Sequence, residues 1–325
     1  MNLRDKRILV TGGTGFIGSA IVNKLINQGC YVNIISLSKK FIWRIDDKSN
    51  CKFFKIDLRN PYKVKKCIKT IKPEIIFHLA AYINPEPDFS NIDKAFSINF
   101  NGTKNLLQSL NEYDYDLFIN TGTAHEYGNI KAPFKETDRE KPIFPYSASK
   151  VATTYLCEMM FNTFDKSIIT IRPFITYGPK QISRSLIPSL IFSAIEQKKL
   201  SLTPCDQRRE FLYIDDLVEA YFSLAENFKK VGKMGIFNVG TGKEIQIREI
   251  VNLISKKFKD TQFIIGDKPY RPGEPMQHWA SINKINKAIG WAPKWKIEDG
   301  IDITIKWWQN NRDKWIKYKH IWEKI

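Results

Sequence analysis

The sequence predicts an α/β protein with a doubly wound parallel sheet and a smaller C-terminal α/β domain. Two observations lead to this prediction. Short β-branched apolar runs alternate with longer segments of helical periodicity through the first half of the chain. A glycine-rich loop also follows the first apolar run and precedes the first helical segment. Strands separated by helices need right-handed crossover connections, so we expect the sheet to be parallel.

The predicted elements follow one another in a regular order. The first strand is expected at residues 7–10 and the first helix at 17–28. A third strand is expected to end just before Asp57, and Arg172 and Pro173 close the last strand of the first half. The other strands are expected at 31–35, 75–77, 117–119 and 168–171, and a later helix at 186–197.

The regular alternation ends near residue 175, and we place a domain boundary there. Residues 1–175 would form the first domain and 176–325 mainly the second, with segments near 211–240 returning to the first. An apolar content of 43% is sufficient for a buried core in a chain of 325 residues.

The composition indicates in which cellular compartment the protein works and which kinds of partner it binds. The five cysteines lack CxxC spacing, so we expect free thiols and no zinc site. No apolar run reaches about 20 residues and no signal-peptide pattern opens the chain, so we expect a cytoplasmic protein without a membrane span. The formal net charge is +17, but the lysines are spread along the chain. This pattern favours a solvated surface, then small phosphorylated substrates, over nucleic acid.

The glycine loop predicts a dinucleotide site of the Rossmann type. Glycines at 12, 15 and 18 allow a tight turn, a close backbone approach to a pyrophosphate, and close packing of helix on strand. The N–H groups at the start of the helix would bind the phosphates. The cofactor residues predicted from this loop are Gly12, Thr14, Gly15, Phe16, Ile17 and Gly18.

The end of the second strand bears on the choice between NAD and NADP. Proteins that bind NAD often carry an acidic residue there, whereas this chain has Ser36, followed by Ser38, Lys39 and Lys40. Hydroxyls and lysines could bind a 2′-phosphate, so NADP is favoured, although the lysines could equally be exposed surface residues. Asp57 and Leu58, after the third strand, are candidates for an adenine contact.

Tyr146 and Lys150 are the candidate acid/base pair. They lie four residues apart and so share one face of a helix. An ammonium beside a phenol stabilises the phenolate and would lower the pKa of the tyrosine. The spacing also occurs at Tyr62 with Lys66 and at Tyr127 with Lys131, but only Tyr146 follows a threonine-rich segment at the end of a strand.

The chain resembles the extended short-chain dehydrogenase/reductases, a family of nucleotide-sugar epimerases, dehydratases and reductases. The resemblance covers nearly the whole chain. It implies that Thr123 holds the sugar hydroxyl, that Tyr146 is the acid/base, and that Lys150 binds the nicotinamide ribose. The motifs that carry it are the glycine loop, His78-Leu79-Ala80-Ala81, residues 99–103, residues 123–128, the Tyr146/Lys150 pair, Arg172-Pro173, residues 177–179, Arg209-Glu210-Phe211, Asp215-Asp216 and residues 238–240.

The resemblance also implies further contacts and a set of reactions. Leu79, Ala80, Ala81 and Pro173 would line the cofactor groove, and Arg209 and Arg271 would bind the substrate diphosphate. The main expectation is a homodimeric 4-ketoreductase or 4-dehydrogenase that acts on a nucleotide sugar in deoxysugar or surface-polysaccharide biosynthesis. The alternatives are an epimerase or 4,6-dehydratase of the same family and, from another class, a non-catalytic cofactor-binding scaffold.

Two positions depart from the family's pattern. Where its dehydratases carry an acidic residue after the Ser/Thr, this chain has His125, followed by Glu126. His125 could be a second proton carrier or a residue that only packs beside the substrate. If the segment stays extended, Glu126 should point to the opposite face, and no loss of water is then predicted. The family's usual Asp after Arg209 is Glu210 here.

Tryptophans recur through the C-terminal segment. Ile301, Ile305, Trp308, Trp315 and Trp322 follow a helical spacing, with basic residues between them. Such a stripe can lie on a membrane surface, but packing against the core or another subunit is favoured.

Overall fold

A parallel sheet of seven strands runs through the computed structural model of the chain, which describes residues 3–232, 234–271 and 273–321. The strands are β1 (Ile8–Thr11), β2 (Val32–Ser36), β3 (Cys51–Lys55), β4 (Ile75–His78), β5 (Leu117–Thr121), β6 (Ile168–Pro173), β7 (Thr176–Tyr177), β8 (Leu200–Leu202), β9 (Arg208–Arg209), β10 (Leu212–Tyr213), β11 (Met234–Val239), β12 (Ile245–Gln246), β13 (Phe263–Ile265) and β14 (Gln277–His278). The large sheet has the order β11-β6-β5-β4-β1-β2-β3, which is the doubly wound arrangement that the sequence predicts.

The central strands form where the sequence has its most continuous apolar runs. Every residue of β1 and of β4 is buried. Helices cover both faces of a sheet of this kind, so its strands lose the alternation of polar and apolar residues. The predicted strands match the observed ones to within a few residues at each end, and the predicted fold class is confirmed.

Helices connect the strands and begin at recognisable residues. Asn60 caps the second helix by accepting a hydrogen bond from the Lys63 N–H at 3.0 Å, and Pro61 occupies its first turn. The helices are α1 (Phe16–Asn27), α2 (Pro61–Ile71), α3 (Ile92–Ala95), α4 (Gly102–Leu110), α5 (Pro145–Phe164), α6 (Leu186–Ile195), α7 (Ile214–Glu226), α8 (Phe228–Val231), α9 (Ile247–Ser255), α10 (Asn283–Ile289), α11 (Ile297–Asn310) and α12 (Arg312–Trp315).

After β6 the chain leaves the large sheet and later returns to it. β7 pairs with β10, β8 with β13, and β9 lies between β12 and β14 in small separate sheets. β11 then pairs with β6 as the seventh strand of the large sheet. The two-domain division near residue 175 stays a prediction.

The C-terminal tryptophans pack into the core. Trp308 and Trp315 are both fully buried, and the Trp315 indole N–H donates to the Trp308 carbonyl at 2.6 Å. The expected packing role is therefore confirmed for these two residues, while Trp322 lies outside the described residues. The single helix that the spacing suggests is interrupted at Asn311, and a 3₁₀ segment, Ile316–Ile321, follows α12.

That 3₁₀ segment packs against the loop that follows β2. The Tyr318 hydroxyl donates to the Lys40 carbonyl at 3.0 Å and accepts from the Trp43 indole at 3.1 Å. Across the described residues, no helix combines the length and the apolar character needed to cross a membrane. All five cysteines are free thiols, as expected.

Candidate active site

The glycine loop lies at the junction of β1 and α1. Gly12 has a positive φ of 70°, and a Cβ placed there would lie 2.7 Å from the Ala80 backbone nitrogen. A Cβ on Gly18 would collide with the Gly12 carbonyl oxygen. Only glycine therefore allows β1, α1 and the segment after β4 to approach so closely, which leaves a backbone cradle at the start of a helix. This cradle fits a dinucleotide diphosphate, and it places Leu79 and Ala80 at its side as predicted.

The predicted contacts at the adenosine end are only partly assembled. The Thr14 and Ser36 hydroxyls share a hydrogen bond of 2.7 Å, and Thr14 also donates to the Ser38 carbonyl at 3.4 Å. The Lys39 ammonium lies over the Phe53 ring, 5.0 Å from its centre. Asp57 binds the neighbouring Arg59, with 2.9 Å between the Arg59 Nε and a carboxylate oxygen. Among these candidates, the structure thus brings Thr14, Ser36 and Ser38 together.

Arg44 lies next to this group and was not predicted. Its guanidinium is buried, donates to the Thr14 carbonyl at 3.2 Å and to the Lys180 carbonyl at 3.0 Å, and stacks on Phe41. Burial lowers its pKa to about 10. No local pattern in the sequence distinguishes this arginine from the other basic residues.

Buried polar side chains connect the groove to helix α5. His78 shares hydrogen bonds with the hydroxyls of Thr11 at 2.7 Å and Thr103 at 2.8 Å, and burial lowers its pKa to about 3. The Asn99 amide donates to the Ser149 hydroxyl at 2.9 Å. These contacts join β1, β4, α4 and α5, and they fix the helix that carries the acid/base pair.

Thr123 and Tyr146 meet at the carboxyl end of β5. The Thr123 hydroxyl lies close enough to the phenol to lower the pKa of Tyr146, against the larger effect of burial, and both residues are buried. Lys150 lies one helical turn after Tyr146 and is also buried. The structure therefore assembles the predicted catalytic set, although the role of each member stays a prediction.

The predicted effect of Lys150 on Tyr146 is not found in the protein alone. Burial raises the pKa of Tyr146 to about 12, and burial also lowers the pKa of Lys150. Desolvation disfavours the charge on either side chain, and in this structure it is the largest influence on both pKa values.

The segment after Thr123 is not extended, which corrects the expectation for Glu126. Residues Ala124–Tyr127 form a 3₁₀ turn, and the Glu126 carboxylate points back to accept the Thr123 N–H at 2.8 Å. It also accepts from Arg172 Nε at 2.9 Å and from the Thr154 hydroxyl at 3.1 Å. The signal was present in the sequence, because Thr-x-x-Glu is the capping-box pattern.

His125 remains beside the acid/base. Its ring centre lies 6.3 Å from that of Tyr146 and 5.9 Å from that of Phe144. Burial lowers the pKa of His125 to about 4, so the imidazole is neutral at physiological pH.

The two predicted diphosphate arginines flank one loop. Arg209 is buried and donates to Glu274 at 2.9 Å. Arg271 is exposed and pairs with Glu86 at 3.2 Å, while its carbonyl accepts the Glu274 N–H at 3.0 Å. Glu210, the residue after Arg209, binds backbone instead. Its buried carboxylate accepts hydrogen bonds from the N–H groups of Gly242 at 2.8 Å and Ala280 at 2.7 Å. Glu210, which stands where the family usually has Asp, therefore holds the backbone at Gly242 and at Ala280 in place.

His278 is a second residue that sequence reasoning missed. In the pairing of β9 with β14 it is the register partner of Arg209, and its ring centre lies 5.4 Å from that of His125. The chain has only four histidines, and that scarcity was the one available signal.

Comparison with known protein families gives a match over most of the chain. A sequence model of the NAD dependent epimerase/dehydratase family matches residues 8–240. The chain belongs to this family. The resemblance to the extended short-chain dehydrogenase/reductases is thereby confirmed, and so is the prediction of an enzyme with a nicotinamide cofactor.

Proteins similar to this chain include both dehydratases and epimerases. The chain is 30% identical to human dTDP-D-glucose 4,6-dehydratase, over 95% of this chain and 92% of the human protein. It is 29% identical to dTDP-glucose 4,6-dehydratase 1 of Escherichia coli, over 95% and 94% of the two chains. The solved UDP-glucuronic acid 4-epimerase of Bacillus cereus, in complex with UDP-glucuronic acid and NAD, superposes with a TM-score of 0.85 at 26% identity, covering 93% and 99%. These names support the epimerase or dehydratase alternative better than the ketoreductase or dehydrogenase that the sequence led us to favour.

Proposed function

We propose that this member of the NAD dependent epimerase/dehydratase family is a nucleotide-sugar epimerase that oxidises and re-reduces one ring carbon, at position 4. The observation that carries the proposal is the buried Thr123, Tyr146 and Lys150 set, in which the threonine hydroxyl lies close enough to the phenol to affect its pKa. Oxidation of a secondary alcohol needs a group that takes the hydroxyl proton, and this set provides one.

The proton path uses residues of this chain. When bound in its oxidised form, the nicotinamide would carry a positive charge beside the phenol and would be the acceptor for the hydride of the ring carbon. Tyr146 would take the hydroxyl proton, while Thr123 orients the same oxygen and the Lys150 ammonium compensates the phenolate. Tyr146 would return the proton to the same oxygen when the ketone is reduced on its opposite face, which restores the alcohol in inverted configuration with no net redox change.

The 4,6-dehydratase is a second candidate, and the identity to the human and Escherichia coli dehydratases favours it. Elimination of water needs a further base and acid beyond the tyrosine. Glu126 is held by Arg172 and by the Thr123 backbone, so it is not free to act as that base. His125 is then the group beside Tyr146 that could do so.

The substrate is a nucleoside diphosphate sugar. Arg209 and Arg271 would bind its diphosphate, since guanidinium groups make charge-assisted hydrogen bonds to phosphate oxygens. Arg209 pairs with the Glu274 side chain, and Arg271 lies three residues before Glu274 in the same loop, so both arginines lie at this loop. The names of the relatives make UDP- and dTDP-linked hexoses the first compounds to test.

The preference for NADP over NAD is part of the proposal. No carboxylate ends β2, where Ser36 lies, and the Arg44 guanidinium is close to Thr14 at the same end. We also propose that the enzyme works in the cytoplasm, in deoxysugar or surface-polysaccharide biosynthesis, because free cysteines suit a reducing compartment.

A homodimer completes the proposal. Helix α5 exposes Tyr155, Met159 and Phe164 on its outer surface, with exposed fractions of 54%, 41% and 47%. Exposed apolar side chains of this size mark interaction surfaces. Met159→Asp should convert the dimer to a monomer in light scattering, whereas a wild-type protein that is already monomeric would contradict the proposal.

The decisive experiment follows cofactor and product mass together. The enzyme is incubated with UDP-glucose, dTDP-glucose and their 4-keto derivatives, with and without added NAD(P)H, and products are separated by chromatography. An isomer of unchanged mass without net change at 340 nm supports the epimerase. A product lighter by one water identifies the dehydratase, and stoichiometric oxidation or reduction of added cofactor would return the assignment to a ketoreductase or dehydrogenase.

A further inference from the structure

His278 is a buried imidazole whose hydrogen bonds are not made. The residue is 5% exposed, and neither Nδ1 nor Nε2 has a hydrogen-bond partner in the structure. A buried polar group without a partner is unfavourable, and native proteins retain few of them. Packing explains the position of the ring, since Phe134 and Phe174 lie with ring centres 5.2 and 5.3 Å away, but it does not explain a residue with two polar nitrogens.

The position of His278 places it beside the groups that the proposed function uses. Its register partner on β9 is Arg209, the proposed diphosphate ligand, and paired residues of neighbouring strands point to the same face. On its other side lies His125, which in turn lies beside Tyr146. The two imidazoles therefore bridge the gap between the diphosphate end and the acid/base end of the site.

We infer that His125 and His278 form a subsite that binds hydroxyl groups of the sugar ring. The inference rests on the proposed function and adds the chemistry of the sugar that is selected. A neutral imidazole has one N–H donor and one nitrogen acceptor, and a hydroxyl group is likewise both donor and acceptor. The pair is thus complementary to an uncharged hexose, and both histidines act as specificity-determining residues.

The electrical state of the pair argues against a carboxylate as its ligand. Burial holds the pKa of both imidazoles below the ordinary range, Arg209 lowers both pKa values further, and His125 also lowers that of His278. The nearby Arg209 is assigned to the substrate diphosphate in the proposed function and pairs with Glu274 in the structure. A uronic acid carboxylate placed here would lack a free cationic partner, so UDP-glucuronate should bind more weakly than UDP-glucose.

The four histidines allow a direct test by NMR of the full-length enzyme saturated with cofactor. The protein is labelled with ¹⁵N-histidine, and the ring signals are assigned with single His→Phe variants. UDP, dTDP, UDP-glucose, dTDP-glucose and UDP-glucuronate are then added separately. We expect the glucose nucleotides to shift the signals of His125 and His278, and UDP or dTDP alone to leave them unchanged. His78, which bonds to Thr11 and Thr103, and the exposed His320 are internal controls.

Binding measurements on variants complete the test. His278→Phe keeps a planar ring and removes both nitrogens, so it should weaken UDP-glucose or dTDP-glucose binding about tenfold and leave the affinity for UDP and dTDP unchanged. His320→Phe, the surface control, should change neither. A glucose nucleotide that binds and reacts while both signals stay in place would overturn the inference and leave the proposed function intact. If His278→Phe lost affinity equally for the nucleotide and the nucleotide sugar, His278 would have a structural role and the inference would be overturned. If no nucleotide in the panel binds, the proposed function itself is refuted and this inference falls with it.

Discussion

Glu126→Gln separates a structural role of this carboxylate from a catalytic one. In the structure, Glu126 and Arg172 are both fully buried and lie 2.8 Å apart. Removal of one charge from a buried pair costs about 3–5 kcal/mol, because the other charge is left without compensation. Arg172 keeps a second partner, Glu140, at 2.5 Å, so we expect the lower end of that range, about 3 kcal/mol.

The assay has two readouts, the free energy of unfolding in urea and the rate of turnover of the folded enzyme. Glutamine retains an oxygen that can accept the Thr123 N–H, so folded Glu126→Gln should keep measurable turnover, reduced through the position of Thr123. Glu140→Gln, which affects the same arginine from a partly exposed position, is the matched control and should cost less stability. A Glu126→Gln enzyme as stable as the wild type but without turnover would refute the reasoning and make Glu126 a catalytic base.

Three further predictions concern the proton, the cofactor and acid stability. Tyr146→Phe should abolish turnover and leave cofactor affinity nearly intact in a fluorescence titration. Lys150→Met should lower both turnover and cofactor affinity. Full activity of Tyr146→Phe would remove the phenol from the mechanism. Ser36→Asp should shift preference from NADP towards NAD, and a wild-type enzyme that prefers NAD tenfold, about 1.4 kcal/mol, would contradict the NADP assignment. The folded-state pKa of His125, about 4, lies below the ordinary 6.5, so the unfolded chain binds more protons in that interval. Stability should therefore fall as pH decreases from about 6.5 to about 4, by up to about 1.4 kcal/mol per pH unit for this group, and His125→Asn should flatten that dependence in urea titrations.

The features that the sequence revealed are those with a local cause. The glycine loop is predictable because a positive φ at Gly12 and the close approach at Gly18 exclude side chains within one short segment. The buried strands are predictable because parallel strands covered on both faces are apolar throughout. Thr123 and Tyr146 came from motifs of the family that the chain resembles, and the fold buries both side chains close to each other, while their roles stay predictions.

The features that the sequence did not reveal depend on distant pairings. His278 faces His125 only because the two-residue strands β9 and β14 pair in one particular register, and strands so short leave no periodicity to read. Arg44 is buried because the C-terminal 3₁₀ segment and Lys180 enclose the loop after β2. Glu126 differs from these two residues, because its capping-box pattern is local and could have been recognised. The expectation of an extended segment was wrong, since residues Ala124–Tyr127 form a 3₁₀ turn.

The strand order has a consequence for how the protein is made on the ribosome. β6 is an interior strand only because β11, which comes much later in the chain, pairs with it. Until β11 emerges, a nascent chain presents the backbone of β6 as an unpaired edge, flanked by the buried side chains of Ile169 and Ile171. At about 5–20 residues per second, translation from the end of β6 to the end of β11 lasts roughly 3 to 13 seconds. During that interval the half-made sheet is open to aggregation, and a chaperone that covers strand edges would act on this protein there.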